Sequence, residues 1–459
     1  MARITGRFRA RRGGLVVAAV LCAGIAQAAG PVDHSLRPLA RPGMVMHPAP
    51  ASASAFDAWA TDFRRRAEAL GIDRALIDRA FLGVSFDPAI LKRDENQFQF
   101  TKTVGQFLKT AVSEARIRNG RAAMRKYAAD LAAIEARYGV EKQIVAAIWG
   151  LESAYGAWRG STDVLSALAT LAATSRRGAF FETQLIAALT ILQRGEARAT
   201  DLRGSWAGAM GHTQFMPTSY LQYAEDFDGD GRRDIWSDDP RDALASTAAY
   251  LAAHGWTHGQ PWGVEVRLPE DFDYLLADRR IEKMPSDWAA LGVRGIDGQP
   301  VPDHAPASIL LPGGHRGPAF MIFPNFAVLE RYNTADAYVI GVGHLGDRLM
   351  GAGPVGHPWP DDRALTYDER IELQRRLTER GFDTQGIDAR IGPLTINAVR
   401  AFQNAQELIP DGYPSPALLA VCAARGAEFR PARMQGKNRK LSLAPAPTLP
   451  YRSASRGFR

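Results

Sequence analysis

Between Phe56 and about Trp256, apolar residues recur every three or four positions inside long Ala-, Leu- and Arg-rich stretches. That 3.6-residue period predicts a succession of helices. From Gly259 to Pro324 the pattern changes. Short apolar runs, Trp262–Leu268 and Ser308–Leu311, alternate with Pro and Gly and predict short strands. Helical spacing resumes across Phe326–Leu349. Gly351–Pro360 is dense in Gly and Pro and predicts an interdomain linker. A compact unit follows from Thr366 to about Arg425. The chain is therefore expected to be mainly α, in an α+β arrangement. A helical body over 56–350 carries a small β-containing insertion, a linker covers 351–365, and a second helical unit covers 366–425. No solenoid-type repeat is present.

Charge changes this picture only at the ends. The 459 residues carry a formal +7, but the first twelve hold five arginines and no acid, and residues 428–459 sum to +7. The residues between therefore sum to −5. A mildly acidic body gives no support to a nucleic-acid-binding face. The basic start, the apolar run Leu15–Ile25 and the Ala26-Gln27-Ala28 that follows predict a secretory signal peptide over 1–28, cleaved on export. The run is short for a spanning helix, which leaves a retained membrane anchor as the alternative. Leu21 stands where lipidation of Cys22 would need a small residue, so lipidation is rejected. Cleavage leaves Cys422 alone, without an intrachain disulfide, and it reads as a small buried apolar residue near a helix end. Residues 29–55, rich in Pro, Ala and Ser, predict a flexible lead-in, and 426–459 a disordered basic tail.

The strongest chemical signal lies in Tyr138–Gly156. Ile144, Ile148, Leu151 and Tyr155 are spaced to share one helical face, with Gly156 as a stop, and Glu152 falls on that same apolar stripe. Burial penalises the carboxylate anion, raises its pKa and keeps a Glu protonated for general-acid work. A structural Glu paired with a buried Arg is the competing reading, and the helix alone favours it. A second motif, Gly204–Tyr220, reverses that order. Small residues at 207–209 and 211 allow close approach of another chain or a ligand. Ser205, Gln214 and Ser219 offer neutral donors and acceptors for sugar hydroxyls and N-acetyl groups. Trp206, Phe215 and Tyr220 offer apolar faces for sugar rings. Farther on, Asp226, Asp228, Asp230 and Asp234 with Gly231 match positions 1, 3, 5, 9 and 6 of an EF-hand loop, and Arg232 would supply a backbone carbonyl. Ser237 replaces the closing Glu, and Asp238 or Asp239 is expected to close a longer loop. Asp234 has a second reading as the cap of the next turn.

Taken in order, Trp149–Gly156, Gly208–Pro217, the Asp226–Asp234 loop and Arg331-Tyr332-Asn333 resemble the membrane-bound lytic murein transglycosylase B family of bacterial cell-wall enzymes. The resemblance covers roughly residues 56–350. It implies a lysozyme-like fold, Glu152 as the catalytic residue and glycan contacts at Ser205, Gln214, Tyr250, Tyr332, Asn333 and Tyr338. It also implies structural Ca2+ at Asp226, Asp228, Asp230 and Arg232, and no organic cofactor. Thr366–Arg425, with Ile371–Phe382, Gly386–Thr395 and Ala398–Gln403, resembles the three-helix peptidoglycan-binding domain of wall hydrolases, Asp388-Ala389 standing for the usual Asp-Gly. The expected partner is the peptidoglycan glycan strand and the expected place the periplasm. A monomer is expected, with cell-wall synthesis or division proteins as candidate partners.

Glycosidases commonly flank the scissile bond with two carboxylates. Here Glu152 is the convincing one, and Glu182 sits in an ordinary helical run. One carboxylate suffices if the substrate supplies the nucleophile. Glu152 would protonate the oxygen between N-acetylmuramic acid and N-acetylglucosamine, then deprotonate the muramyl 6-hydroxyl as it closes on C1. The resemblance implies this outcome, a 1,6-anhydromuramyl end. Two alternatives stay open: a goose-type muramidase using water, and a non-catalytic peptidoglycan-binding protein, against which Glu152 on its apolar face argues.

Overall fold

The computed structural model describes residues 53–424 apart from 100, 101 and 176. The expected leader 1–28, most of the lead-in 29–55 and the basic tail 426–459 lie outside the described residues. The first helix, Ala53–Ala69, begins slightly ahead of the expected onset at Phe56.

A helical body is built around the helix Lys142–Ser153. Ile144 to Gly150 are all buried, so the helix is covered on every side, where the sequence spacing suggested a single stripe. Small residues make this possible. The helix Asp336–Leu349 lies along it with Gly341, Gly343 and Gly346 buried, and a Cβ on Gly346 would stand 3.2 Å from Ile144. The helices Val164–Thr174 and Gly178–Gln193 pack on each other; the first is started by Asp163, whose carboxylate accepts the Ser166 N–H at 2.8 Å.

The expected β-containing insertion is a four-stranded antiparallel sheet in the order Arg294–Gly295, Gly263–Arg267, Ala319–Ile322, Ser308–Leu310. Alternation explains the continuous apolar runs of its strands. Leu310, Phe320 and Ile322 face the helical core, while Ile309, Met321 and Val266 face a second core with Trp288, Phe272 and Phe323. Both faces are buried. The Gly/Pro-rich segment then runs along this sheet: the Gly356 and His357 amides donate to Glu265 at 2.8 and 2.7 Å, and Trp359 stacks on Phe320.

Three helices, Tyr367–Glu379, Pro393–Ala405 and Pro416–Ala424, close around Leu373, Leu377, Val399, Phe402 and Cys422. Cys422 is fully buried, as expected. Two Gln side chains clasp the loops. Gln374 accepts from the Asp388 and Ala389 amides at 2.9 and 2.8 Å, and Gln403 accepts from Gly412 at 2.8 Å while donating to Asp411 at 2.7 Å. Ala389 and Gly412 are both left-handed, with φ of 60° and 75°. The Ala in place of the usual Gly therefore carries a Cβ where glycine is favoured.

Candidate active site

Glu152 is the second-to-last residue of the helix Lys142–Ser153. Ala154 and Tyr155 follow at φ 50° and 61°, so the helix ends before the expected stop at Gly156. Neither residue carries a breaker signature, and that is why the apolar spacing overran the true end. Tyr155 leaves the stripe and turns against Gly120 and Gly150, its hydroxyl donating to the Arg116 carbonyl at 3.1 Å. Glu152 stays half-buried among aromatic rings. Burial pushes its carboxyl up to about 7, while the Tyr338 hydroxyl, donating to Oε1 at 2.6 Å, pulls it down.

Tyr332 and Tyr338 flank a break between the helix Pro324–Tyr332 and the helix Asp336–Leu349, where the sequence suggested continuous helix. Asn333 is exposed in the break, its side-chain oxygen accepting the Ala335 N–H at 3.1 Å. The break stacks the two Tyr rings, 4° from parallel with centroids 6.4 Å apart. The Tyr332 hydroxyl donates to the Thr213 carbonyl at 2.5 Å. Tyr250 sets its edge against Tyr332 with centroids 5.1 Å apart, and its own hydroxyl is taken by the Arg331 carbonyl at 2.6 Å. Burial and the nearby Glu152 hold the Tyr332 and Tyr338 hydroxyls well above their ordinary pKa, so both remain proton donors.

The Gly204–Tyr220 segment divides between contact and core. Phe215 and Tyr220 are buried, and Tyr220 donates to the Arg233 carbonyl at 2.9 Å; the expectation that they offer faces to sugar is corrected, since both pack in the core. Trp206 is only half-buried. The close approach allowed by the small residues is used by the chain itself: a Cβ on Gly208 would meet Leu168 at 2.3 Å, and one on Gly211 the Ile235 carbonyl at 2.3 Å. The Ser205 Oγ accepts the Ala207 and Ala209 amides at 3.3 and 3.0 Å, leaving its O–H to donate. Gln214, at φ 57°, donates to the Arg159 and Gly211 carbonyls at 3.1 and 2.9 Å, which leaves Oε1 as an acceptor.

No local pattern in the sequence marks His212 for a role. It is buried between the Trp149 indole, which donates to Nδ1 at 3.1 Å, and the Ser237 carbonyl, 2.7 Å from Nε2. Its neutral, Nε2-protonated form fits both partners, and burial lowers its pKa accordingly. It ties the helix before Glu152 to the segment after the aspartate loop. Glu182 is bound by Arg66 through both oxygens at 2.9 Å, a structural ion pair.

The Asp226, Asp228 and Asp230 carboxylates offer oxygens within 4.8 Å of one another. Of the expected closing acids, Asp238 pairs with Arg159 at 2.7 Å and Asp239 with Arg241 at 2.6 Å. Each is engaged by an arginine, and neither belongs to the three-carboxylate group. Asp234 accepts the Trp236 and Ser237 amides at 2.9 and 3.0 Å, the cap-like role. Asp242, unremarked in the sequence, holds the loop instead: buried, it accepts the Phe227 and Asp234 amides, both at 2.8 Å. Its signal was an acid in the first turn of the next helix, Arg241–Ala253. That helix also carries Tyr250, eight residues and about 12 Å farther along, so one rigid element links the loop to the Tyr cluster. An all-oxygen donor set, with one cation, Arg241, 3.1 Å from Asp228, suits a hard divalent ion. Calcium fits these residues.

A mainly helical body presenting one proton-holding carboxyl among tyrosines is the apparatus of an acid–base enzyme, and the chain belongs to the transglycosylase SLT domain family, which residues 55–347 match. The expected lysozyme-like fold is that of this family. Residues 366–421 match a peptidoglycan binding domain family. The chain is 37% identical over 219 residues to membrane-bound lytic murein transglycosylase B of Escherichia coli K12, a stretch spanning 46% of this chain and 58% of that protein, little more than half of its length. It is similar to SltB3 of Pseudomonas aeruginosa, solved in complex with NAG-anhNAM-pentapeptide, at TM-score 0.77 and 49% identity, covering 80% of this chain and 99% of that one. It is also similar to the Escherichia coli lytic transglycosylase Slt35 in complex with calcium, at TM-score 0.56 and 32% identity, covering 63% and 92%.

Proposed function

We propose that this protein cleaves the β-1,4 bond between N-acetylmuramic acid and N-acetylglucosamine in peptidoglycan without water, leaving 1,6-anhydromuramyl ends. The observation that carries the reading is Glu152, with a carboxyl pKa near 7 and the Tyr338 hydroxyl on it. Such a group holds its proton for the glycosidic oxygen and, once ionised, accepts the proton of the muramyl 6-hydroxyl as that oxygen bonds to C1. No proton is gained or lost overall. Tyr338 steadies the carboxylate between the two steps. Tyr332, Tyr250 and Asn333 line the −1 sugar, and Ser205 and Gln214 bind its polar substituents. Among the described residues no second carboxylate is hydrogen-bonded into this cluster, which favours the substrate hydroxyl over an activated water.

Calcium bound by Asp226, Asp228, Asp230 and the Arg232 carbonyl would fix the loop and, through Asp242, the helix bearing Tyr250. The 366–425 unit would hold the enzyme on the wall. The enzyme would act as a periplasmic monomer, exported by the 1–28 leader; among the described residues no helix is long and apolar enough to cross a membrane. The test is digestion of purified sacculi with mass spectrometry of the muropeptides. Products ending in anhydromuramic acid, absent with Glu152→Gln, are expected. Reducing ends would show a muramidase, and binding without products a non-catalytic wall protein.

A further inference from the structure

Residues 102–126 carry seven Lys and Arg against one acid, Glu114, inside a body, 13–427, whose charges sum to −5. The net acidity of the body thus conceals one concentrated basic segment. Most of it is the helix Glu114–Lys126. Close packing fixes the inner face of this helix. Ile117 and Gly120 are buried, and a Cβ on Gly120 would run into the Tyr155 hydroxyl and Leu349. That face lies against the helices Lys142–Ser153 and Asp336–Leu349. The outer face points away from both and exposes Arg118, Arg121 and Arg125, which the helical period sets in one row about 10 Å long.

The charge of this row is not neutralised within the protein. Arg121 donates to the Arg348 and Leu349 carbonyls at 2.6 and 3.3 Å, and Arg116 to the Thr110 and Ala111 carbonyls at 2.7 and 2.9 Å. Both are held by helix ends, where carbonyls attract a cation without cancelling its charge. The one acid, Glu114, is taken by Arg348 at 2.8 Å. Arg118 and Arg125 have no hydrogen-bond or ion-pair partner among the described residues. Exposed Lys109 stands in the last turn of the helix whose end Arg116 caps. Met350, also exposed, follows the Leu349 carbonyl that Arg121 holds. A row of guanidiniums beside an exposed apolar side chain matches a plane of phosphates above hydrocarbon. The forks bind phosphate oxygens in pairs, and the thioether can enter the boundary beneath them.

We propose that this face docks the folded body on an anionic phospholipid surface, with Arg118 and Arg125 as the phosphate contacts. The choice of partner rests on the periplasmic reading above, because there phospholipid headgroups form such a plane. The contact belongs to the folded body and is separate from the basic ends of the chain.

The test is sedimentation of the full-length protein with vesicles of phosphatidylglycerol and phosphatidylethanolamine, beside vesicles of phosphatidylcholine alone. Wild type is expected on the anionic vesicles only, and added salt should release it. The double variant Arg118→Gln, Arg125→Gln keeps Arg121 on its helix end. It should lose roughly 30-fold in partitioning, about fivefold for each arginine. A matched variant, Lys92→Gln with Arg93→Gln, removes the same charge from exposed positions on the helix Pro88–Gln99 and should lose less than about threefold. Equal losses in the two variants would reduce the effect to net charge and overturn the proposal. No loss in the arginine variant would leave binding to the basic ends and overturn it too, as would a wild type indifferent to headgroup charge. Binding to purified sacculi is measured alongside; if it falls in step with vesicle binding, the face belongs to the wall and the lipid assignment is wrong. If wild type releases no anhydromuramyl products from those sacculi, the function proposed above fails, while the vesicles still decide the face.

Discussion

Replacing Glu152 by Gln removes one ionisable group while keeping the side chain's size and an oxygen able to accept the Tyr338 hydroxyl. In the folded protein the carboxyl titrates at about 7, against an ordinary 4.5. Between those values the folded chain holds a proton that the unfolded chain has lost. Wild-type stability therefore falls as pH rises from about 4.5 to about 7 and stays lower above that. A shift of about 2.5 units corresponds to about 3.4 kcal/mol. Because Glu152 is only half-buried, solvent in the mouth of the site offsets part of this, leaving about 1–3 kcal/mol. Every other titrating group is common to both proteins and cancels in their difference. Thermal melts of both chains at half-unit steps from pH 4.5 to 8.5 should show melting temperatures that coincide at the acid end. With alkalinity they diverge, Glu152→Gln melting higher by about 2 °C or more at pH 8. A gap independent of pH, or a variant that melts lower at pH 8, would refute the claim that Glu152 is held as a strained carboxyl.

Tyr338→Phe keeps the ring stacked on Tyr332 but removes the donor to Glu152. Because that bond lowers the carboxyl pKa and is worth about 1.5–3 kcal/mol, the alkaline limb of kcat/KM should move up from near 7 by about one to two units; a limb that stays in place would show that the hydroxyl does not hold the anion. Gly211→Ala puts a methyl 2.3 Å from the Ile235 carbonyl at a backbone φ of 72°, and should cost about 2–4 kcal/mol in a urea titration, with no loss if the loop can relax. Calcium at a hundredfold excess over its dissociation constant should stabilise the chain by about 2.7 kcal/mol, and Asp228→Asn or a chelator should abolish most of that gain in a melting experiment. Arg66 and Glu182 are partly exposed, so Glu182→Gln should change turnover little and stability by less than about 1 kcal/mol; a large fall in kcat would reopen Glu182 as a second catalytic carboxyl.

Which parts of the site the sequence could reveal depended on distance along the chain. Glu152 stands out because its surroundings are its own helix: a carboxylate among Ile, Ala, Trp and Leu is anomalous without any tertiary information. That pattern alone fits a structural Glu as well, and only the Gly204–Tyr220 motif tips it towards catalysis. Tyr338 bonds to it from 186 residues away, and no local pattern marks a tyrosine for that task. Only a resemblance could point to it, as for Tyr332 and Tyr250. The aspartate loop was readable as spacing, but its keystone was not. Asp242 acts by accepting backbone amides, and such contacts leave no side-chain pattern at the donor positions. Phe215 and Tyr220 erred in the opposite sense: an aromatic residue has the same sequence character whether its ring lies in the core or in a groove, and here the core took both. The fold class was easier to read, because helical periodicity and the abrupt change at Gly259 are repeated over many residues.

The backbone just after Glu152 explains why the helix stops there. Of the non-glycine residues with positive φ, Ala154, Tyr155 and Gln214 lie at the site, and each such conformation costs about 1–2 kcal/mol. The reversal they create brings Gly156 against His212, where a Cβ would approach the ring to 2.6 Å, and Gly160 against Gly204. Ser153 fastens the turn, its Oγ accepting the Gly156 amide at 2.9 Å and its carbonyl the Trp158 amide at 2.9 Å. A helix continuing through Tyr155 would satisfy the local pattern better, but it would carry the chain past Gly204. The Gln214 amide would then lose the Arg159 carbonyl, and Ser205 its paired strand. The strain is thus held by contacts on both sides of the cleft. It fixes Glu152 at a helix end, close to the residues that would bind the sugar, and the tight glycine contacts leave that turn little room to move.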